Sequence, residues 1–141
     1  MSFDALSEVN WLAIIVGTVA WFALGGIWYA PPVFGKAWMR STGIDPSAEG
    51  QRPGASIYLF PLIAYFVATI ALAMLAAATG SETFGEGIVL GLVVGVGFAV
   101  TLYSVESVFG RRPQPGTWFL LTSAYQLIGI LIATVVVTVW D

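Results

Sequence analysis

The stretch GIVLGLVVGVGFAVTLYSVESVF, residues 87–109, contains one carboxylate, Glu106, and no cation. An α-helix rises 1.5 Å per residue, so a run of this length is what a hydrocarbon core about 30 Å thick requires. Acidic Glu82 and Glu86 precede it, and Gly110, Arg111, Arg112 and Pro113 close it. Three more uncharged runs of similar length extend outward from it: Trp11 to Tyr29, Ile57 to Thr79 and Trp118 to Trp140. Only 9% of the chain is charged and 58% is hydrophobic, whereas an ordinary soluble domain carries about a quarter charged residues. Such a composition cannot clothe a water-soluble globule. The expectation is an all-α integral membrane protein forming a single membrane domain over 1–141. Four transmembrane helices, at 11–29, 57–79, 87–109 and 118–140, pack as a compact bundle.

The boundaries have local causes. Pro31-Pro32 stops the first run, because proline lacks an amide donor and disfavours helix at the residue before it. Gly80-Ser81 closes the second run, and Pro61 sits near its start, where a missing amide costs little. Asp4 and Glu8 stand where a signal peptide would carry positive charge, so the first run reads as a retained span. The connection 30–56 is the one long loop. Within it Phe34, Trp38 and Met39 alternate with Lys36 and Arg40, which predicts a short interfacial helix over 33–41, and Gly43 to Gly54 reads as loop.

The basic residues orient the chain. Lys36, Arg40 and Arg52 lie between spans one and two, and Arg111 and Arg112 lie between spans three and four. With four spans both loops share one side of the bilayer, and the opposite side carries Asp4, Glu8, Glu82, Glu86 and Asp141 with no Lys or Arg. The positive-inside rule makes the basic loops cytoplasmic and places both termini on the non-cytoplasmic side of the cell membrane. Trp28, Tyr29, Tyr58, Phe109, Trp118 and Phe119 at one level, and Trp11, Phe84 and Trp140 at the other, fit two aromatic belts.

Within the spans, Gly87, Gly91, Gly95 and Ala99 recur every four residues and share one helix face. Small residues at this spacing let another backbone approach closely, either inside the bundle or at an oligomer interface. Ala64 with Ala68, and Gly129 with Ala133, repeat the spacing. Glu106 reads as an interfacial ion pair with Arg111, Arg112 or Lys36. Set beside Thr101, Tyr103, Ser104 and Ser107, it reads alternatively as an ion or proton site, to which Tyr125 and Gln126 on the polar third of span four would contribute. Ser123 and Thr122 extend that polar third, and Tyr65 and Thr69 add hydroxyls to span two. Hydroxyls and amides of this kind usually serve as interhelical glue. The two halves of the chain also look alike: Val33-Phe34-Gly35-Lys36 matches Val108-Phe109-Gly110-Arg111, and Leu62-Ile63 and Ala68-Thr69 match Leu127-Ile128 and Ala133-Thr134. A duplicated helical hairpin is one reading of this likeness.

The chain has no cysteine and no histidine, which removes disulfides, thiolate metal sites and the commonest general base. No phosphate-binding loop, dinucleotide fingerprint, zinc-protease motif or nucleophile elbow occurs. The few scattered cations make no nucleic-acid footprint. No cofactor and no enzymatic activity are expected, and the expected partners are membrane lipids and a second copy or another membrane protein.

Asn10-Trp11, then Gly25-Gly26-Ile27-Trp28-Tyr29-Ala30-Pro31, then Phe34-Gly35-Lys36-Ala37-Trp38, resemble the motifs of a family of small prokaryotic membrane proteins, domain of unknown function 1761. The last third, from Phe109-Gly110-Arg111 to Ala124-Tyr125-Gln126-Leu127, is similar as well, so the resemblance spans nearly the whole chain. Ala30 stands where that family usually has serine, and Gln126 where histidine is often expected. The resemblance implies a four-span membrane protein and no particular activity. The residues point first to a non-enzymatic protein that self-associates or serves a membrane assembly. The alternative is a small transporter or channel using Glu106.

Overall fold

A computed structural model of the chain describes residues 1–45, 47 and 54–140. The reading of Arg52 as a loop cation, and of 46 and 48–53 as loop, lies outside these residues. Six α-helices occur among the described residues: α1 (Trp11–Trp28), α2 (Lys36–Thr42), α3 (Ser56–Thr79), α4 (Phe84–Val94), α5 (Thr101–Phe109) and α6 (Pro115–Val139). A wide π turn, Gly95–Val100, joins α4 to α5, so the two form one continuous rod. A second wide turn, Pro31–Gly35, leads into α2, and a single 3-10 turn, Phe3–Ser7, precedes α1. Strands are absent among the described residues.

Each helix end has a chemical reason. The Asn10 side chain accepts hydrogen bonds from the Leu12 and Ala13 amides at 3.0 and 3.1 Å, capping α1. Ala30, the residue before Pro31, is extended with ψ 141°, and α1 has ended by then. Gly80 takes a left-handed φ of 64°, allowing Ser81 N–H to reach the Ala76 carbonyl at 3.0 Å and close α3. Thr83 and Glu86 form a reciprocal capping box, which starts the third span at Phe84, three residues before the Gly87 that the hydropathy pattern suggests. Pro115 occupies the first turn of α6, where its missing amide costs nothing, and begins that helix ahead of Trp118. Pro61 lies inside α3, beyond the four residues whose amides need no partner, so it deprives the Ile57 carbonyl of its usual donor.

Helix α6 is the hub. It packs against α1, α2, α3, α4 and α5, whereas the rod α4–α5 packs chiefly on α6. In the most apolar window of α6, 44% of residues are buried, against 17% in the rod. Ile14, Trp21, Leu72, Ala73, Tyr125, Ile130, Ala133 and Val137 form the core. Four of the buried threonines do not bridge helices. Thr18, Thr69, Thr134 and Thr138 each donate to the carbonyl four residues earlier, at 2.7–2.9 Å, which satisfies the hydroxyl locally and leaves its methyl to pack.

Four helices, counting α4–α5 as one, are long and apolar enough to cross a bilayer. Their outer faces carry exposed Ile15, Val19, Leu59, Phe60, Val67, Val89, Val93, Phe98 and Leu120, a surface suited to lipid rather than water. This is a multi-pass membrane protein with an all-α bundle. The two hairpins are not packed as equivalents. Val33-Phe34-Gly35 lies in a wide turn, whereas Val108-Phe109 ends a regular helix and Gly110 is extended. Helix α1 packs closely on α6, and α3 makes no comparable contact with the rod. The physical reason is Gly129, which admits Trp21 of α1 against α6.

Candidate functional site

The end of the bundle that carries Lys36, Arg40, Arg111 and Arg112 holds most of the polar and aromatic side chains of the spans. Helix α2 is fastened there to the start of α6. The Trp38 indole donates to Thr122 Oγ1 at 3.3 Å, and the Gln114 amide donates to the Ser41 carbonyl at 3.3 Å. Just past α2, the exposed Asp45 carboxylate accepts from the Ser47 hydroxyl at 2.6 Å and its amide at 2.9 Å, which holds its pKa below the usual carboxylate value.

Tyr125 is the centre of this region. It is buried, and its hydroxyl donates to the Trp21 carbonyl at 3.2 Å. Tyr29 and Tyr65 meet it edge-on, with ring centroids 5.1 and 6.1 Å away, and Tyr65 stacks on Trp21 at 4.4 Å. Gln126, the next residue on α6, donates from Nε2 to the Tyr65 hydroxyl at 3.4 Å and lies beside Tyr103 of α5. Thr122, which accepts from the Trp38 indole, lies beside Tyr29 as well. One aromatic and amide network therefore links all four spans and α2. A Cβ at Gly25 would come within 2.7 Å of the Tyr125 hydroxyl, so this glycine makes room for the ring. A Cβ at Gly35 would lie 2.9 Å from the Tyr29 carbonyl carbon, so the wide turn folds back on the end of α1 only with glycine there. The Trp28 indole donates to the Leu121 carbonyl at 3.2 Å.

Glu106 stands apart from this network. Its carboxylate pairs with Arg112 at 3.0 Å with 53% of the side chain exposed, and the Arg112 guanidinium lies 3.6 Å from the Trp118 ring centroid. Ser104 and Ser107 donate to the carbonyls of Thr101 and Ser104, at 2.6 and 2.7 Å, and so face their own helix. The structure thus brings Tyr125 and Gln126 together with Tyr103, while Glu106, Ser104 and Ser107 share a helix with Tyr103 but make no hydrogen bond to either of those α6 residues.

The small-residue stripe is filled by the chain itself. A Cβ at Gly91 would come within 2.5 Å of Thr134 Oγ1 and 3.2 Å of Leu131 Cα; one at Gly95 would come within 2.5 Å of Leu127; and one at Gly87 would collide with Thr138. Ala99 packs partly buried on the same core. Of the two uses open to this stripe, it is occupied by packing on α6.

The sequence reading missed Trp21, and it assigned Tyr29 to an aromatic belt, Trp38 to the interfacial helix and Tyr103 to the surroundings of Glu106 rather than to this network. The available signal was size complementarity: Gly25 and Gly129 mark places where a large ring must enter, but pairing each glycine with its ring requires knowing which helices meet. At the opposite end, the Asn10 amide donates to the Trp140 carbonyl at 2.7 Å, fastening the two terminal segments together.

No curated protein and no solved structure matches this chain. The model of one family, described as "Protein of unknown function (DUF1761)", matches residues 12–138, which include Gly25, Trp28, Tyr29, Gly35, Trp38, Tyr125 and Gln126 of the network. The chain belongs to that family.

Proposed function

We propose that this protein is a non-enzymatic component of a membrane assembly, self-associating or accessory to another membrane protein. It resides in the cytoplasmic membrane with both termini on the non-cytoplasmic side. The observation that carries the assembly reading is the one-sided packing of the rod α4–α5. It rests on α6, and elsewhere its surface is exposed, with nothing within 4 Å of the Cβ positions of Gly85 and Gly97. An exposed glycine in a helix costs about 1 kcal/mol relative to alanine. No contact among the described residues offsets that cost here, and a neighbouring helix approaching at Gly97 would offset it.

The orientation rests on charge. Lys36, Arg40, Arg111 and Arg112 lie at the end where Gln114 bonds Ser41, and among the described residues the end where Asn10 bonds Trp140 has no cation besides the amino terminus. Single cysteines at Ser47 and Thr83 are expected to react with an impermeant thiol reagent from opposite faces, and labelling from one face would reject this topology. Assembly is tested by native mass spectrometry from lipid nanodiscs. Gly97→Leu is expected to reduce the oligomer or the bound partner while leaving thermal stability unchanged. A wild-type protein that is monomeric and partner-free in its own lipids would reject the assembly reading.

A further inference from the structure

Three of the four described loop cations are left unused by the fold. Arg112 is committed to Glu106 and to the face of Trp118. Among the described residues, Lys36, Arg40 and Arg111 have no carboxylate partner, and all three are exposed. Their placement follows from how α2 is held. Trp38 and Ser41 face α6 through the bonds to Thr122 and Gln114. At 100° per residue, Lys36 and Arg40 then fall on the opposite side of α2, one turn apart. The Gln114–Ser41 bond also brings the segment containing Arg111 against the end of α2, where a Cβ at Gly43 would lie 3.1 Å from Pro113. Arg40, one residue from Ser41, and Arg111, three from Gln114, thus flank a bonded contact between two loops distant in sequence, and with Lys36 one turn before Arg40 they form the candidate platform.

Beside them, Val33 and Phe34 expose 46% and 37% of their surface, although Phe34 packs on Trp28 with centroids 4.6 Å apart. Paired apolar and cationic side chains at the end of a bundle suit a ligand with a charged head and an apolar tail. We propose that the platform formed by Lys36, Arg40 and Arg111 binds the headgroup phosphate of an anionic phospholipid, with Val33 and Phe34 against its upper acyl chain. A lysine contributes a compact charge and each arginine a planar fork that pairs two phosphate oxygens. The exposed apolar neighbours argue for a lipid phosphate over a soluble one, which would gain nothing from Val33 and Phe34.

The test titrates the purified full-length chain in detergent with phosphatidylglycerol or phosphatidylcholine of the same acyl composition and reads bound lipid by native mass spectrometry. Phosphatidylglycerol is expected to bind at least tenfold more tightly than phosphatidylcholine. Lys36→Gln, Arg40→Gln and Arg111→Gln should each weaken it about fivefold. These side chains are exposed, so melting temperatures should stay the same and a loss of binding cannot be confused with a loss of fold. Equal binding of the two lipids, or undiminished phosphatidylglycerol binding by the triple variant, would overturn the proposal. Displacement of the lipid by millimolar inorganic phosphate would assign the site to a soluble anion and overturn it as well. The readout is the same for monomer and oligomer, so its failure is distinguishable from failure of the assembly reading.

Discussion

At the scale of single residues, glycine means opposite things at two places in this protein. Gly129 faces Trp21, which is held by its stack on Tyr65 and by the Tyr125 hydroxyl on its carbonyl, so a methyl group there has nowhere to go. Gly129→Ala is expected to destabilise the fold by about 2 kcal/mol, within the usual cost of overpacking. Gly97→Ala, with open space around it, should leave stability equal or slightly higher. Thermal unfolding in a mild detergent separates the two, and equal effects would contradict the packing described. The ion pair yields a second prediction. Glu106 is half exposed, so Glu106→Gln should cost less than about 1 kcal/mol. Arg112→Ala should cost more, because it also removes the contact with Trp118. A proteoliposome assay that finds a pH-dependent cation flux abolished by Glu106→Gln would overturn the reading of this carboxylate as an ion pair. Sequence spacing identified Glu106 as an ion-pair residue and left Arg111, Arg112 and Lys36 open as its cation. It did not reveal that the serines beside it turn to their own helix carbonyls.

Among the elements, the rod α4–α5 differs most from its simplest reading as one regular helix. The wide turn at Gly95–Val100 accommodates about one more residue than a regular α-helix would over the same rise. Deleting exposed Gly97 is therefore expected to produce a continuous α-helix with Tyr103 still against Gln126 and Glu106 still beside Arg112. Stability should change by less than about 1 kcal/mol. Inserting an alanine after Gly97 has no slack left to use and would rotate α5 by about 100°. That would break Tyr103–Trp118, Tyr103–Gln126 and Glu106–Arg112 together, with a markedly lower melting temperature. Similar losses in both variants would show that the wide turn does not set the register of α5. The glycines at 95 and 97 are visible in the sequence, but hydropathy reads α-helix and π turn alike because both bury or expose the same apolar residues.

For the whole molecule, the arrangement around α6 predicts which helix surfaces can change without loss of the fold. Gly91→Leu enlarges a side chain wedged between α4 and α6 and should unfold the rod from the bundle, costing about 2–3 kcal/mol. Val93→Ala, on the exposed face, should be nearly neutral. If Gly91→Leu instead altered only oligomeric state in nanodiscs, the stripe would belong to an interface between copies. The sequence by itself determined the membrane class, the four spans and the pairing of the basic loops at one end, because the insolubility of charge in hydrocarbon writes these features into composition and run length. It also showed the helix stops at Pro31 and Gly80, where backbone sterics act within a few residues. The tertiary structure decided that α6 is the hub, that the Gly87–Gly91–Gly95 face is used within the chain, and that Tyr29 and Tyr65 meet Tyr125 while Gln126 reaches the Tyr65 hydroxyl. Those outcomes depend on which helix faces meet, and in spans that are apolar on every side the hydropathy pattern holds no preferred face. Shape alone selects the partner, through one tryptophan fitted to one glycine.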